Sequence, residues 1–151
     1  MTNPKDLFAK CPREVITRSG DRSTLFEIVD DRYAIHASGK EPDIVPDPSG
    51  TFPSGSAVGP VYAVRPSGAE AIPTGLVFVR FSADVNAADR RAEIEAAGYE
   101  IAEVLSYAPE AAWLRATSGD IAEALVDLGK LEKLSGVENV EPQMLMKRVS
   151  K

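Results

Sequence analysis

The spacing of apolar residues changes period several times along this chain, most clearly over residues 76–142. Leu76, Val77, Phe78, Val79 and Phe81 follow Pro73-Thr74-Gly75 as an apolar run, which predicts a strand with both faces at least half buried. Ala87, Arg91, Ile94 and Ala97 then repeat at helical spacing. Asn86 is the expected N-cap of that helix, Asp89 sits in its first turn, and Gly98 stops it. Tyr99, Ile101, Glu103 and Leu105 alternate as in a strand partly open to solvent. Tyr107-Ala108-Pro109 turns the chain, and residues 111–116 predict the next strand, which carries the sole tryptophan, Trp113. Asp120 and Glu123 read as a capping pair for a second helix, whose core stripe is Ile121, Leu125, Leu128 and Leu131. Gly129 within that stripe costs roughly 1 kcal/mol against alanine, so the helix is expected to end or bend there. Gly136 introduces a last short strand, and Pro142 closes it.

The order strand, helix, strand, strand, helix, strand predicts an α+β fold, a ferredoxin-like βαββαβ sandwich over about residues 76–142. Upstream, residues 14–18, 24–29 and 33–37 predict three short strands. Ser19-Gly20-Asp21-Arg22 and Asp30-Asp31-Arg32 are the expected turns between them. Residues 1–38 therefore read as a small β meander, too small to stand alone and expected to pack on the later sandwich. Residues 39–75 hold Pro42, Pro46, Pro48, Pro53, Pro60, Pro66 and Pro73 with four glycines among them, the composition of a connector. Residues 58–64 are the one strand candidate inside it. Residues 143–151 are expected to form an extended C-terminal tail.

Composition narrows the function. A net charge of −6, with no basic run carrying interleaved aromatics, argues against a nucleic-acid partner. No apolar run approaches membrane-spanning length, and the first residues lack the apolar centre of a signal peptide. With a single cysteine, Cys11, no internal disulfide forms, and the expectation is a cytoplasmic protein. Residues 76–146 hold six Lys/Arg against thirteen Asp/Glu, and Lys147, Arg148 and Lys151 follow, so an acidic body ends in a basic tail.

Catalytic and cofactor chemistry is sparse. His36 is the sole histidine, on an expected strand with no serine elbow near it, so no catalytic residue is assigned. Cys11 and His36 fall short of the four N or S ligands of a structural zinc site. Asp30 with Asp31, and Asp43 with Asp47, lack calcium-loop spacing and read as turn residues. No phosphate-loop or dinucleotide motif occurs, and no metal or cofactor is expected.

Four segments carry a family resemblance: Val77-Phe78-Val79-Arg80-Phe81; Ala97-Gly98-Tyr99-Glu100-Ile101; the run from Leu105 through Tyr107, Pro109 and Trp113 to Leu114; and the closing Leu134-Ser135-Gly136-Val137-Glu138-Asn139-Val140-Glu141-Pro142. In this order they resemble the subtilisin propeptides, the inhibitor domains that precede many subtilisin-like serine proteases. The resemblance covers about half the chain, and no protease domain follows within its 151 residues. What it implies is a non-enzymatic inhibitor, and a folding chaperone acting in trans, encoded as a stand-alone chain with a subtilisin-like protease as its partner.

By that resemblance the open sheet face, with Phe78 and Trp113, docks on two helices of the protease. Glu138 and Glu141 match the acidic positions that approach the helix N-termini, where the dipole favours a carboxylate. The resemblance further implies that the tail, with Met144, Leu145, Met146, Lys147, Arg148, Val149, Ser150 and Lys151, lies in the cleft as a cleaved product would. There it is held by backbone hydrogen bonds, with side chains in alternate pockets. The main alternative is a ferredoxin-like small-ligand-binding regulatory domain, which needs a polar pocket between helix and strand edges. An acylphosphatase-type enzyme is disfavoured by the acidic loop Ser82-Ala83-Asp84-Val85-Asn86, and an RNA-binding sheet by charge and by the lack of adjacent aromatics.

Overall fold

The computed structural model describes residues 10–19, 22–37, 42–46 and 57–146. Among the described residues the elements are eight strands and four short helical segments: β1 (Glu14–Ser19), β2 (Arg22–His36), β3 (Asp43–Val45), β4 (Ala57–Arg65), β5 (Glu70–Phe81), a 3-10 turn (Ala87–Arg90), α1 (Arg91–Ala96), β6 (Tyr99–Leu105), β7 (Ala108–Ala116), α2 (Ile121–Val126), α3 (Leu128–Glu132) and β8 (Val137–Met146). The class is α+β, mostly antiparallel sheet with a few helices. Two compact units divide the chain. The first holds Met1–Ile16, Thr24–Pro73 and Met144–Lys151, and the second holds Thr17–Ser23 and Thr74–Gln143.

In the first unit, β2 pairs antiparallel with both β3 and β4, and β4 pairs with the start of β5. The two strands expected at residues 24–29 and 33–37 are one strand. Asp30-Asp31-Arg32 has turn composition, but the chain absorbs it as a register shift between Ile28 and Tyr33 instead of reversing. Residues 39–75 are likewise no simple connector, because β3, β4 and the first residues of β5 fall inside them. The candidate strand at residues 58–64 is β4. Its partners on β2 run from Leu25, opposite Arg65, to His36, opposite Ala57, a non-local pairing that local composition does not report. Ala34, Val61 and Ile72 form the centre of this unit, with Val29 and Ile44 against them. The Tyr62 hydroxyl donates to the Pro12 carbonyl at 2.6 Å and so ties the chain before β1 to β4.

In the second unit the strand order is β8-β5-β7-β6. Val77, Val79 and Phe81 of β5 are fully buried, as are Ala112 and Leu114 of β7, and Val77 lies directly opposite Leu114. The helices contribute Ile94 of α1, Ala122, Ala124 and Leu125 of α2, and Leu128 and Leu131 of α3 as buried residues. Tyr99 is buried with them, and its hydroxyl donates to the Ala124 carbonyl at 2.5 Å. Burial pushes that phenol's pKa up, so it stays a neutral donor.

The helix ends differ in detail from the sequence expectation. Asn86 makes no side-chain cap, and the first turn after it is 3-10. Gly98 does stop α1, with φ of +98°, a conformation that a Cβ disfavours. Asp120 caps α2 by accepting from the Ala122 amide at 2.9 Å. Glu123 does not complete the reciprocal pair. Its carboxylate takes the Ser118 hydroxyl, whose oxygen in turn accepts the Asp120 amide. The second helix breaks at Asp127, and Gly129 lies within α3. Pro142 does not end the last strand, because β8 continues to Met146. Its only strand partner among the described residues is β5, so a proline without an N–H is tolerated on its outer side.

Candidate docking face and tail strand

Alternation along β5 sends Val77, Val79 and Phe81 to the helix side, which leaves Thr74, Leu76, Phe78 and Arg80 on the other. On that second face Phe78 stands directly opposite Trp113 of β7. Their rings meet edge to face, with centroids 5.5 Å apart and planes at 66°, the geometry aromatic pairs prefer. The Arg80 guanidinium lies 5.8 Å from the Phe78 centroid and extends the stack by a cation–π contact. Neither aromatic ring is fully buried. Around them the face is edged by charge. Arg115, opposite Leu76, is bonded to Glu100 of β6 at 3.1 Å, and Glu103 lies opposite Trp113. The two apolar side chains expected on this face are thus brought together, with both signs of charge near them.

β8 joins the same face at one point. The Thr74 hydroxyl donates to Oε1 of Gln143 at 2.8 Å and accepts the Leu76 amide at 3.2 Å. Gln143 and Glu141 share one side of β8, whereas Glu138 falls on the side of the buried Val140 and Pro142. Glu138 and Glu141 were expected to act together on the open face, and the pleat of β8 separates them. Glu138 and Glu141 are three positions apart, an odd spacing that a period-two element sends to opposite faces. Glu138 instead borders a shallow depression of about 190 Å³ with Glu132, Val137, Asn139 and Val140. The Asn139 Oδ1 is buried and has no hydrogen-bond partner.

Met144, Leu145 and Met146 are the last three residues of β8, so the expected tail begins inside a strand. Met144 is half-buried, while Leu145 is 39% and Met146 49% exposed. Lys147, Arg148, Val149, Ser150 and Lys151 lie outside the described residues.

His36, on the last position of β2, has a buried Nε2 with no hydrogen-bond partner, and desolvation lowers its pKa. Cys11 is buried. Among the described residues no group of three His, Cys, Asp or Glu is placed to hold a metal ion, and no helix is long and apolar enough to cross a membrane. Elsewhere in the second unit, Arg90 sits 5.0 Å above the Phe81 ring and pairs with Glu93, which lowers that carboxyl's pKa through the side-chain hydrogen bond. These contacts brace the end of β5, where the Ser82 amide donates to the Gly136 carbonyl at 2.9 Å.

No protein-family model, curated protein or solved structure matches the chain.

Proposed function

We propose that this chain is a propeptide-like protein inhibitor, and a folding aid in trans, of a subtilisin-like serine protease, with no catalysis of its own. The reading takes residues 76–142 as a ferredoxin-like sandwich, supported by the strand order β8-β5-β7-β6 and by the helical segments that follow β5 and β7. In it the Phe78–Trp113 face docks on the protease, Glu141 contributes its carboxylate beside that face, and the strand end from Met144 onward enters the cleft. The observation that carries it is the end of β8. There an already extended backbone presents Leu145 and Met146 to solvent, as the last residues of the acidic closing strand. An extended segment is the conformation that strand addition in a protease cleft requires, so little ordering cost remains on binding.

The tether matters as much as the contacts. A cut product peptide diffuses away, whereas one fixed to a folded, docked body stays at high effective concentration and keeps the site blocked. The test is hydrolysis of a small chromogenic substrate by a subtilisin in the presence of the full chain. Tight inhibition is expected, weakened by Trp113→Ala and by charge placed at Leu145. No inhibition at concentrations well above the enzyme's would end the proposal. The second reading, a small-ligand-binding regulatory domain, is favoured by the depression between Glu132 of α3 and the start of β8 with the unpaired Asn139 Oδ1. Its volume lies below the several hundred Å³ usual for ligand pockets, which ranks it second.

A further inference from the structure

We propose that Met144 and Met146 form an oxidation-sensitive switch on the inhibitory strand, an inference that rests on the function proposed above. The chain has three methionines, and two of them stand two residues apart at the end of β8, on either side of Leu145. Strand alternation puts both thioethers on one side and Leu145 on the other. Met146 is 49% exposed and Met144 half-buried, so the sulfur-bearing side of the strand end is open to small solutes. Cys11, the sole thiol of the chain, is buried.

The oxidant class is a peroxide. The thioether sulfur lone pair attacks one peroxide oxygen and the O–O bond breaks. Sulfur gains that oxygen and is oxidised by two electrons, and the other oxygen leaves as water after taking up a proton. The product is a polar, chiral sulfoxide in place of a flexible apolar side chain. In a strand bound by alternate pockets, both sulfoxides enter the same row of apolar subsites, where the new oxygen has no donor. An unpaired buried acceptor lowers affinity by roughly ten- to a hundredfold. Met144 and Met146 fall in the first unit, and the second unit, which carries Phe78 and Trp113, holds no methionine, so the packing of the docking face is unaffected. Peroxide thus releases the protease by altering the strand end alone, and methionine sulfoxide reductase chemistry restores the block.

The experiment measures the inhibition constant against a broad-specificity subtilisin before and after mild hydrogen peroxide treatment of the full chain and of the M144L/M146L double variant. Intact-mass and peptide mass spectrometry locate the added oxygen. The readout is the ratio of treated to untreated constants within each chain, which removes any change the substitutions themselves make. The expected ratio is on the order of tenfold or more for the parent and close to one for the double variant. Sulfoxide at both positions with a parent ratio of one overturns the switch and leaves the inhibitor reading standing. Equal loss in parent and double variant also overturns it, because the damage then lies elsewhere. An untreated chain that does not inhibit at all overturns the function proposed above, and the switch with it.

Discussion

Replacing Ile94 with alanine removes the one buried side chain of α1 and tests whether that short helix is held by packing. Ile94 is fully buried, while its neighbours Glu93, Glu95 and Ala96 are exposed. A six-residue helix has negligible stability by itself, so its docking depends on this contact. Truncation removes three carbons, about 2.4 kcal/mol of transfer free energy at about 0.8 per methylene, before any cavity is counted. With incomplete collapse of the space left behind, the expected loss is about 3 kcal/mol, within the usual range of about 2–5. At a urea slope of about 1.5 kcal/mol per molar, the midpoint falls by about 2 M. Trp113 is the sole tryptophan and lies in the same unit, so its fluorescence follows the unfolding. Glu95→Ala, at an exposed position of the same helix, is the control and should shift stability by no more than about 0.5 kcal/mol. Equal midpoints for Ile94→Ala and Glu95→Ala would refute the assignment of the buried helix face.

Three further outcomes are expected. Tyr99→Phe deletes the buried hydroxyl that donates to the Ala124 carbonyl and should cost about 1–2 kcal/mol in the same urea assay; no change would mean that this bond contributes nothing. Gly98→Ala forces a Cβ into a φ of +98° and to 3.2 Å from Asp127 Oδ2, and should destabilise by about 1–2 kcal/mol, whereas Gly129→Ala, with open space around it, should be neutral or stabilising. His36 has its pKa lowered from 6.5 by burial, so the folded state binds fewer protons than the unfolded state in that range. Its contribution is intact above the unfolded value and is lost as pH falls through the folded one. Melting temperatures between about pH 7.5 and about pH 5 should therefore drop less for His36→Gln than for the parent, and identical slopes would contradict the burial argument.

Much of the second unit is legible in the sequence because its boundaries carry their own chemistry. Gly98, Asp120 and Gly136 mark a helix stop, a helix cap and a strand entry, and the structure uses all three. Ile94 is the buried anchor of α1, and of the stripe Ile121, Leu125, Leu128 and Leu131 the three leucines are buried and Ile121 half-buried. The failures share a cause, which is that the partner of a segment is not written beside it. Asp30-Asp31-Arg32 looks like a turn until β4 runs past it and turns the irregularity into a register shift within one strand. Prolines at positions 60, 73 and 142 look like breakers, yet each sits in a strand, where pairing decides whether a missing N–H matters.

The candidate face was legible only in part. Phe78 and Trp113 share a face because β5 and β7 pair in a register that places them directly opposite. Alternation predicts the side each residue takes, whereas the register that sets them opposite depends on the pairing of the two strands. Glu138 and Glu141 were grouped by their acidity, and alternation along β8 parts them. The Thr74–Gln143 bond and the placement of Arg80 over Phe78 depend on cross-strand neighbours that no local motif announces.

The central claim is that the end of β8 occupies a protease cleft while the folded body stays docked. Charge placed at exposed positions separates the cleft contribution from folding, because neither Leu145 nor Met146 belongs to the buried core. The measurement is the inhibition constant against a subtilisin for the full chain and for the L145E/M146E variant, with urea denaturation of both chains in parallel. Inhibition by the full chain, weakened at least tenfold in the variant at an unchanged midpoint, is the predicted result. Equal inhibition by the two chains, or none by the full chain, would contradict it.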